Sequence, residues 1–386
     1  MANPVKTGAL AGYRVLDLAD EKGMLCARLL ADSGADVIRL EPPGKAISPH
    51  YLNAGKRSIS LYLEDNRGKD IFKQLIKTAD VLVESYRPGY LSNLGLGFHE
   101  LNRINPRLIM ASITDFGQTG PYRDYAGSDL IASALGGQMY TTGVTDGPPL
   151  KLYGNQTGYT ASLFAVTGIL LALWGRHTTG TGQYIDISLQ ECAAATLDHV
   201  LVRYFYEGIV SGRQGSRHWN GAFLIFPCRD GDILLSLFQH WETLVEWLDA
   251  ESMAGDLADK KWRDDATRWQ HIDHITGILE RWTSRHTADE LVAKGQMMGF
   301  PWAKVNSITE LLASPQLKER GFFTEVVDPD SGKYFTCPGA PAKMGATPFL
   351  PGTRIPRHGE HTGEVLTGEL GIPEPELESL HQEGVI

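Results

Sequence analysis

The feature that most constrains the fold is a repeated alternation of short apolar runs and amphipathic segments in the first half of the chain. The segments YRVLDLAD, KGMLCARLLADSG and ADVIRLEPPG predict strand, helix and strand, and KDIFKQLIKTADVLVES repeats the helix–strand order. Strands that alternate with helices pair in parallel, with right-handed crossovers. The first half therefore predicts an α/β domain built on a parallel sheet.

The second half of the chain has a different pattern. GAFLIFPCRDGDILLSLF predicts a β-hairpin, amphipathic helices follow through residues 240–300, and VVDPDSGKYFTCPGAP predicts a second hairpin. A chain of 386 residues is also long for one hydrophobic core. We therefore predict a large domain from both chain ends and a smaller α+β middle domain. The large domain comprises 1–200 and 340–386, the small domain 225–325, and the linkers 201–224 and 326–339.

Composition argues against several classes of function. The net charge of −10 disfavours nucleic acid and anionic membranes as partners. The four cysteines are widely spaced, which fits neither a zinc site nor a disulfide framework. The N-terminus has no signal-peptide core, and the apolar run Leu163–Trp174 is shorter than the ~20 residues that span a bilayer. We expect a cytoplasmic protein in which this run forms a buried helix.

Two familiar ligand signatures are incomplete. The first strand–helix loop, ADEKGM, has a single glycine, whereas a dinucleotide site needs G-x-G-x-x-G so that the backbone can approach the pyrophosphate. The histidine pairs of HIDH (271 and 274) and HGEH (358 and 361) lack a third ligand nearby. We predict neither NAD binding nor a metal site, and expect these histidines to lie at the surface or to cap turns.

Two other stretches are better candidates for ligand contact. KRSISL (56–61) and SYRPG (85–89) each place basic or aromatic residues beside a strand end. Ligands of α/β proteins bind at the carboxyl ends of strands. An ordinary charged turn is the alternative interpretation of each stretch.

A set of collinear segments spans nearly the whole chain: GYRVLDLAD, LLADSGADVIRLEPPG, ADVLVESYRPGYLSNLGLGFHELNRINP, GRHTTGTGQYIDISLQE and RHGEHTGEVL. These segments resemble the family III CoA-transferases, which include formyl-CoA and carnitine CoA-transferases and the related 2-methylacyl-CoA racemases. The resemblance implies a Rossmann-like large domain from both termini, a smaller middle domain and two subunits threaded through each other. It also implies a coenzyme A thioester and a carboxylic acid as substrates.

The mechanism of these enzymes needs an aspartate at the start of a helix. Its carboxylate attacks the thioester carbonyl and forms a mixed anhydride, and CoA then passes to the acceptor acid through an enzyme thioester. That helix start corresponds here to GNQTGYTASLF, and counting from both flanks places the nucleophile at Gly158. Because glycine has no side chain, the resemblance implies a chain without a catalytic residue of its own.

Three further stretches depart from the family pattern. Asn93 stands where an arginine is expected to meet a CoA phosphate, and SRHWNGAF replaces a glycine-rich active-site loop. Ser128 replaces the histidine that the racemases place before an aspartate, so racemase chemistry is not expected. The positions that the resemblance implies for CoA binding are Leu61, Glu64, Ser85, Tyr86, Arg87, Asn93 and Asp129.

Three functions stay open on the sequence alone. The first is the non-catalytic subunit of a heteromeric CoA-transferase whose homologous partner carries the aspartate. The chain resembles in this respect the aspartate-lacking subunit of the succinyl-CoA:benzylsuccinate CoA-transferase of anaerobic toluene breakdown. The second is a CoA-transferase whose carboxylate has moved to Asp129, Asp115 or Glu84. The third is a homodimer that binds an acyl-CoA or an acid without converting it.

Overall fold

The computed structural model describes residues 7–44, 51–218, 222–237 and 239–386, so residues 219–221 of the stretch SRHWNGAF lie outside the described part. The chain forms two compact units. The first contains Met1–Tyr140, Leu150–Ser211 and Gln316–Ile386, and the second contains Thr141–Pro149 and Gly212–Pro315. The segment Thr141–Pro149 thus belongs to the second unit, which the sequence did not indicate. The linker boundaries drawn from the sequence stay predictions.

A six-stranded parallel sheet forms the centre of the first unit. Its strands are β1 (Arg14–Leu18), β2 (Asp36–Glu41), β3 (Arg57–Ser60), β4 (Val81–Glu84), β5 (Ile109–Thr114) and β6 (Tyr184–Ser188). They lie in the order β3-β2-β1-β4-β5-β6. The order changes direction between β1 and β4, and such a switch point opens a crevice at the carboxyl ends of the strands. The predicted α/β fold with a Rossmann-like parallel sheet is confirmed.

Helices cover both faces of this sheet, which is why strands β1 to β5 are almost wholly buried. Alternate residues of a strand point to opposite faces. Leu16 therefore packs in one core with Phe72, whereas Val15 packs in another with Ala165. The helices are α1 (Met24–Asp32), α2 (Asn66–Thr78), α3 (Tyr90–Asn93), α4 (Phe98–Ile104), α5 (Asp129–Leu135), α6 (Gln138–Thr141), α7 (Gln156–Thr179), α8 (Leu189–Ala195) and α9 (Asp198–Glu207).

Two helices follow β6. Helix α8 ends at Ala195 and α9 begins at Asp198. Between them the Thr196 hydroxyl donates to the Ala193 carbonyl at 2.7 Å. A local bond of this kind competes with the helical hydrogen bonds of the backbone. The segment is therefore divided into two helices.

Helix α7 is not the buried helix that its apolar sequence predicted. Its inner face carries small residues such as Ala161 and Ala165, which are buried in the core. Leu171 and Trp174 are 65% and 78% exposed. The helix has 24 residues and is, by length and composition, apolar enough to cross a membrane, a test that core helices also pass. A run of apolar residues in the sequence does not show which face of the helix packs against the core.

The second unit packs helices on an antiparallel sheet of β7 (Phe223–Cys228), β8 (Gly231–Ser236) and β9 (Ala303–Lys304). The β7–β8 hairpin was predicted and is confirmed. Glu251 accepts a hydrogen bond at 2.8 Å from each of Trp247, Trp282 and His286, which offsets the cost of partly burying its carboxylate. The helices are α10 (Trp241–Ala250), α11 (Asp265–Gln270), α12 (Ile272–Thr283), α13 (Ala288–Met297), α14 (Ile308–Ala313) and, at the boundary, α15 (Pro315–Glu319).

The carboxyl-terminal part of the chain completes the first unit and protects the edge strand β3. The His361 N–H donates to the Ser58 carbonyl at 2.8 Å, and the Ser58 N–H donates to His361 Nδ1 at 3.1 Å. Thr362 Oγ1 accepts the Ser60 N–H at 2.9 Å. Edge backbone that is already bonded cannot pair with another sheet. The other elements are the predicted hairpin β10 (Phe323–Val327) and β11 (Tyr334–Pro338), a π-helix (Glu364–Glu369) and α16 (Glu374–Gln382).

Candidate functional site

The start of helix α7 is built around a residue without a side chain. Gly158 is the third residue of the helix. The space that a side chain would need is occupied by Asn155, whose Nδ2 lies 2.7 Å from the Cβ position of residue 158. The same amide donates to the Glu21 carbonyl at 3.1 Å. A neutral amide therefore fills the position that the resemblance assigns to the nucleophile.

A carboxylate does reach this helix start, from Asp129 at the beginning of α5. Its Oδ1 accepts the N–H groups of Thr157 and Gly158 at 2.8 and 3.1 Å. Its Oδ2 lies 2.8 Å from Lys151 Nζ, an ion pair without ideal hydrogen-bond geometry. The free N–H groups of a helix N-terminus favour negative charge. Asp129 therefore caps the helix, and Lys151 balances its charge.

These contacts argue against Asp129 as a relocated nucleophile. A nucleophilic carboxylate needs an oxygen that can approach the thioester carbon. One oxygen of Asp129 is bonded to two amides and the other faces an ammonium, and the side chain is 14% exposed. Lys151 is held in place by the carbonyls of Leu152, at 3.2 Å, and Gly154. The helix start is thus hydrogen-bonded within the chain.

A cleft of about 530 Å³ opens at the switch point of the sheet, beside the carboxyl ends of β1, β4 and β5. Ser85 Oγ donates to Asp20 Oδ1 at 2.7 Å, and Lys22 Nζ lies 2.5 Å from Asp20 Oδ2. Within the described part of the chain the exposed Arg87 guanidinium has no carboxylate or carbonyl partner. The residues that line this switch-point cleft are Asp20, Lys22, Ser85, Tyr86, Arg87, Pro88, Thr114, Asp115 and 123–127.

The residues predicted to contact CoA are not all in one place. Ser85, Tyr86 and Arg87 line the switch-point cleft, and the other four lie elsewhere. Leu61 is buried in the hydrophobic core. Glu64 accepts the hydroxyls of Tyr62 and Tyr90 at 2.8 and 3.0 Å. Asn93 is exposed at the end of α3. Asp129 caps the start of α7.

Two acids beside the cleft have raised pKa values. Burial raises the pKa of Glu84 to about 7, and the Tyr86 N–H, which donates to Glu84 Oε2 at 2.8 Å, offsets only part of this effect. Burial also raises the pKa of Asp115, against the attraction of the Lys22 ammonium. Carboxyl groups with perturbed pKa values in clefts are enriched at functional sites. Both acids were predicted from the sequence as alternative positions for a relocated carboxylate, but their burial could not be predicted from it.

A buried ionic network that the sequence motifs did not indicate lies next to β1. Lys56 Nζ lies 2.8 Å from Asp17 Oδ2, and Arg39 Nη1 lies 3.3 Å from Asp17 Oδ1. Lys56 also donates to Asn53 Oδ1 at 3.1 Å. The sequence does contain a signal for this network: each of the apolar runs VLDL and VIRL includes one charged residue. A buried charge requires a partner, so these two residues could have been expected to pair. Lys56 of the candidate stretch KRSISL is therefore an ion-pair partner in the core.

No group of three or more His, Cys, Asp or Glu in the described ranges is arranged to hold a metal ion. The histidine pairs of the sequence have other contacts. His358 Nε2 lies 3.1 Å from the Pro42 carbonyl, and His274 Nε2 lies 2.6 Å from Asp256 Oδ1. These contacts stabilise a turn and a surface pair.

The strand order and the cleft at its switch point define a doubly wound α/β protein, a class whose ligands generally bind at strand carboxyl ends. Residues 10–362 match the description CoA-transferase family III. The chain belongs to this family, as its collinear motifs predicted.

Relatives and solved structures agree with this assignment. The chain is 35% identical to succinyl-CoA:(R)-benzylsuccinate CoA-transferase subunit BbsE of Thauera aromatica, over 97% of each chain. It is 33% identical to the succinyl-CoA–L-malate CoA-transferase beta subunit of Chloroflexus aurantiacus, over 100% of each chain. The crystal structure of a CAIB/BAIF family protein from Brucella suis superposes with a TM-score of 0.84 at 27% identity, covering 94% of this chain and 99% of that one.

Proposed function

We propose that this chain is the non-catalytic subunit of a heteromeric CoA-transferase, in which a homologous partner chain supplies the nucleophilic aspartate. The observation that carries the proposal is the start of α7. Gly158 offers no carboxylate, and Asn155 fills the vacated space. Asp129 is committed to capping the helix and to Lys151. Covalent transfer through an anhydride requires a free carboxylate, so the chemistry falls to the partner.

An exposed apolar surface supports a permanent partner chain. Leu171 and Trp174 on α7, and Phe205 and Tyr206 on α9, are each more than half exposed. Exposed apolar side chains on the surface of a soluble protein mark a binding site when they form a contiguous patch. We propose that the homologous chain covers these helices, in the threaded arrangement that the family resemblance implies. A threaded partner cannot be lost without loss of the fold, which accounts for the persistence of a silent subunit.

The names of the relatives support a substrate class. Two of them are subunits whose names state transfer from succinyl-CoA, one to benzylsuccinate and one to L-malate. We propose succinyl-CoA as the donor and a carboxylic acid such as benzylsuccinate as the acceptor, in the cytoplasm and in anaerobic toluene breakdown. Where this chain contacts CoA, the unpaired Arg87 of the switch-point cleft would meet a phosphate, with Ser85 and Tyr86 beside it.

The test compares this chain purified alone with the same chain co-expressed with a homologue that carries aspartate at the position of Gly158. Succinyl-CoA-dependent CoA transfer to benzylsuccinate and to a panel of other acids is measured for both. We expect transfer only from the co-expressed complex, and none when the partner's aspartate is replaced by alanine. Robust transfer by the lone chain would contradict the proposal.

A CoA-transferase with a relocated carboxylate is the second candidate function, with Glu84 and Asp115, the two acids beside the cleft whose pKa values burial raises, as its candidate residues. In that case the lone chain would transfer CoA, and Glu84→Gln or Asp115→Asn would abolish this activity. Asp129→Asn separates the two candidates further, because capping predicts a loss of stability with no specific loss of chemistry.

A further inference from the structure

We draw no further inference here: the strongest candidate, the cavity of about 750 Å³ at the carboxyl end of β3 between Pro43, His358 and α16, is lined mainly by apolar atoms, and nothing in the structure shows which ligand it would take.

Discussion

Two carboxyl groups of the first unit, Asp129 and Glu84, lie near strand and helix ends and have opposite surroundings. Asp129 accepts two backbone N–H groups and faces the Lys151 ammonium. Glu84 is almost fully buried, has no cation paired with it among the described residues, and has its pKa raised to about 7. A carboxylate whose charge is balanced stabilises the fold, whereas an unbalanced one is available to a proton or a ligand. The carboxylate that meets the helix start at Gly158 is the balanced one.

The largest effect is expected where a balanced carboxylate is most deeply buried. Asp17→Asn leaves the buried ammonium of Lys56 without its counter-charge. Breaking a buried ion pair from one side costs about 3–5 kcal/mol of the free energy of unfolding. Urea unfolding measures this loss. Asp124→Asn is the control, because Asp124 pairs with Arg123 at 3.2 Å on the surface, and such exposed pairs contribute at most about 1 kcal/mol. Equal losses in the two variants would contradict this reading of the network.

Glu84→Gln tests the unbalanced carboxyl through the pH dependence of stability. The pKa of Glu84 in the folded chain, about 7, lies above its ordinary value of 4.5. The unfolded chain therefore loses this proton first as the pH rises, and the folded state loses stability between these two values. The variant has no such group, so its stability relative to the native chain should rise by up to about 3 kcal/mol between pH 4 and pH 8.

Urea unfolding at both pH values gives that difference, and Glu280→Gln on the exposed face of α12 serves as the control. The control should show no comparable pH-dependent gain. If the free energy of unfolding of Glu84→Gln changed with pH in parallel with that of the native chain, the Glu84 carboxyl would be stabilised by a partner. The contrast between Glu84 and Asp129 would then be wrong.

Asp129→Ala should lower the free energy of unfolding by about 1–2 kcal/mol, because the N–H groups of Thr157 and Gly158 lose their acceptor. Ser128→Ala removes the neighbouring cap of α5, a bond of 3.3 Å from the Ile131 N–H, and should cost about 1 kcal/mol. Chemical denaturation and CoA transfer by the co-expressed complex are measured together. If Asp129→Ala kept full stability and lost all transfer, the carboxylate would have a chemical role that its contacts do not indicate.

The smallest effect concerns two glycines of α7. A Cβ at Gly175 meets no atom within 4 Å, so Gly175→Ala should stabilise the helix by about 0.5–1 kcal/mol. A Cβ at Gly158 lies 2.7 Å from Asn155 Nδ2, and the bond of that amide to the Glu21 carbonyl would be strained. Gly158→Ala should therefore gain less, or lose stability. Thermal melting of the two variants measures this difference in stability. Equal gains in stability would show that Asn155 moves aside without cost.

Much of the fold was predictable because its signals are local. The apolar runs and the 3.6-residue periodicity indicated the strands and helices around β1 to β5, and both hairpins followed from turn residues between short strands. The errors arose where the outcome depends on distant parts of the chain. The apolar letters of α7 did not show that its small residues face the sheet while Trp174 is exposed.

The candidate site divides in the same way. The absence of a side chain at Gly158 is a property of the sequence alone, and so is the family to which the collinear motifs belong. Tertiary structure decided what surrounds that position: Asp129 meets the N–H groups of Thr157 and Gly158, which are 28 and 29 residues away in the chain. It also decided which acid is balanced and which is buried without compensation. Burial and charge pairing depend on which segments the fold brings together, and spacing along one chain does not contain that information.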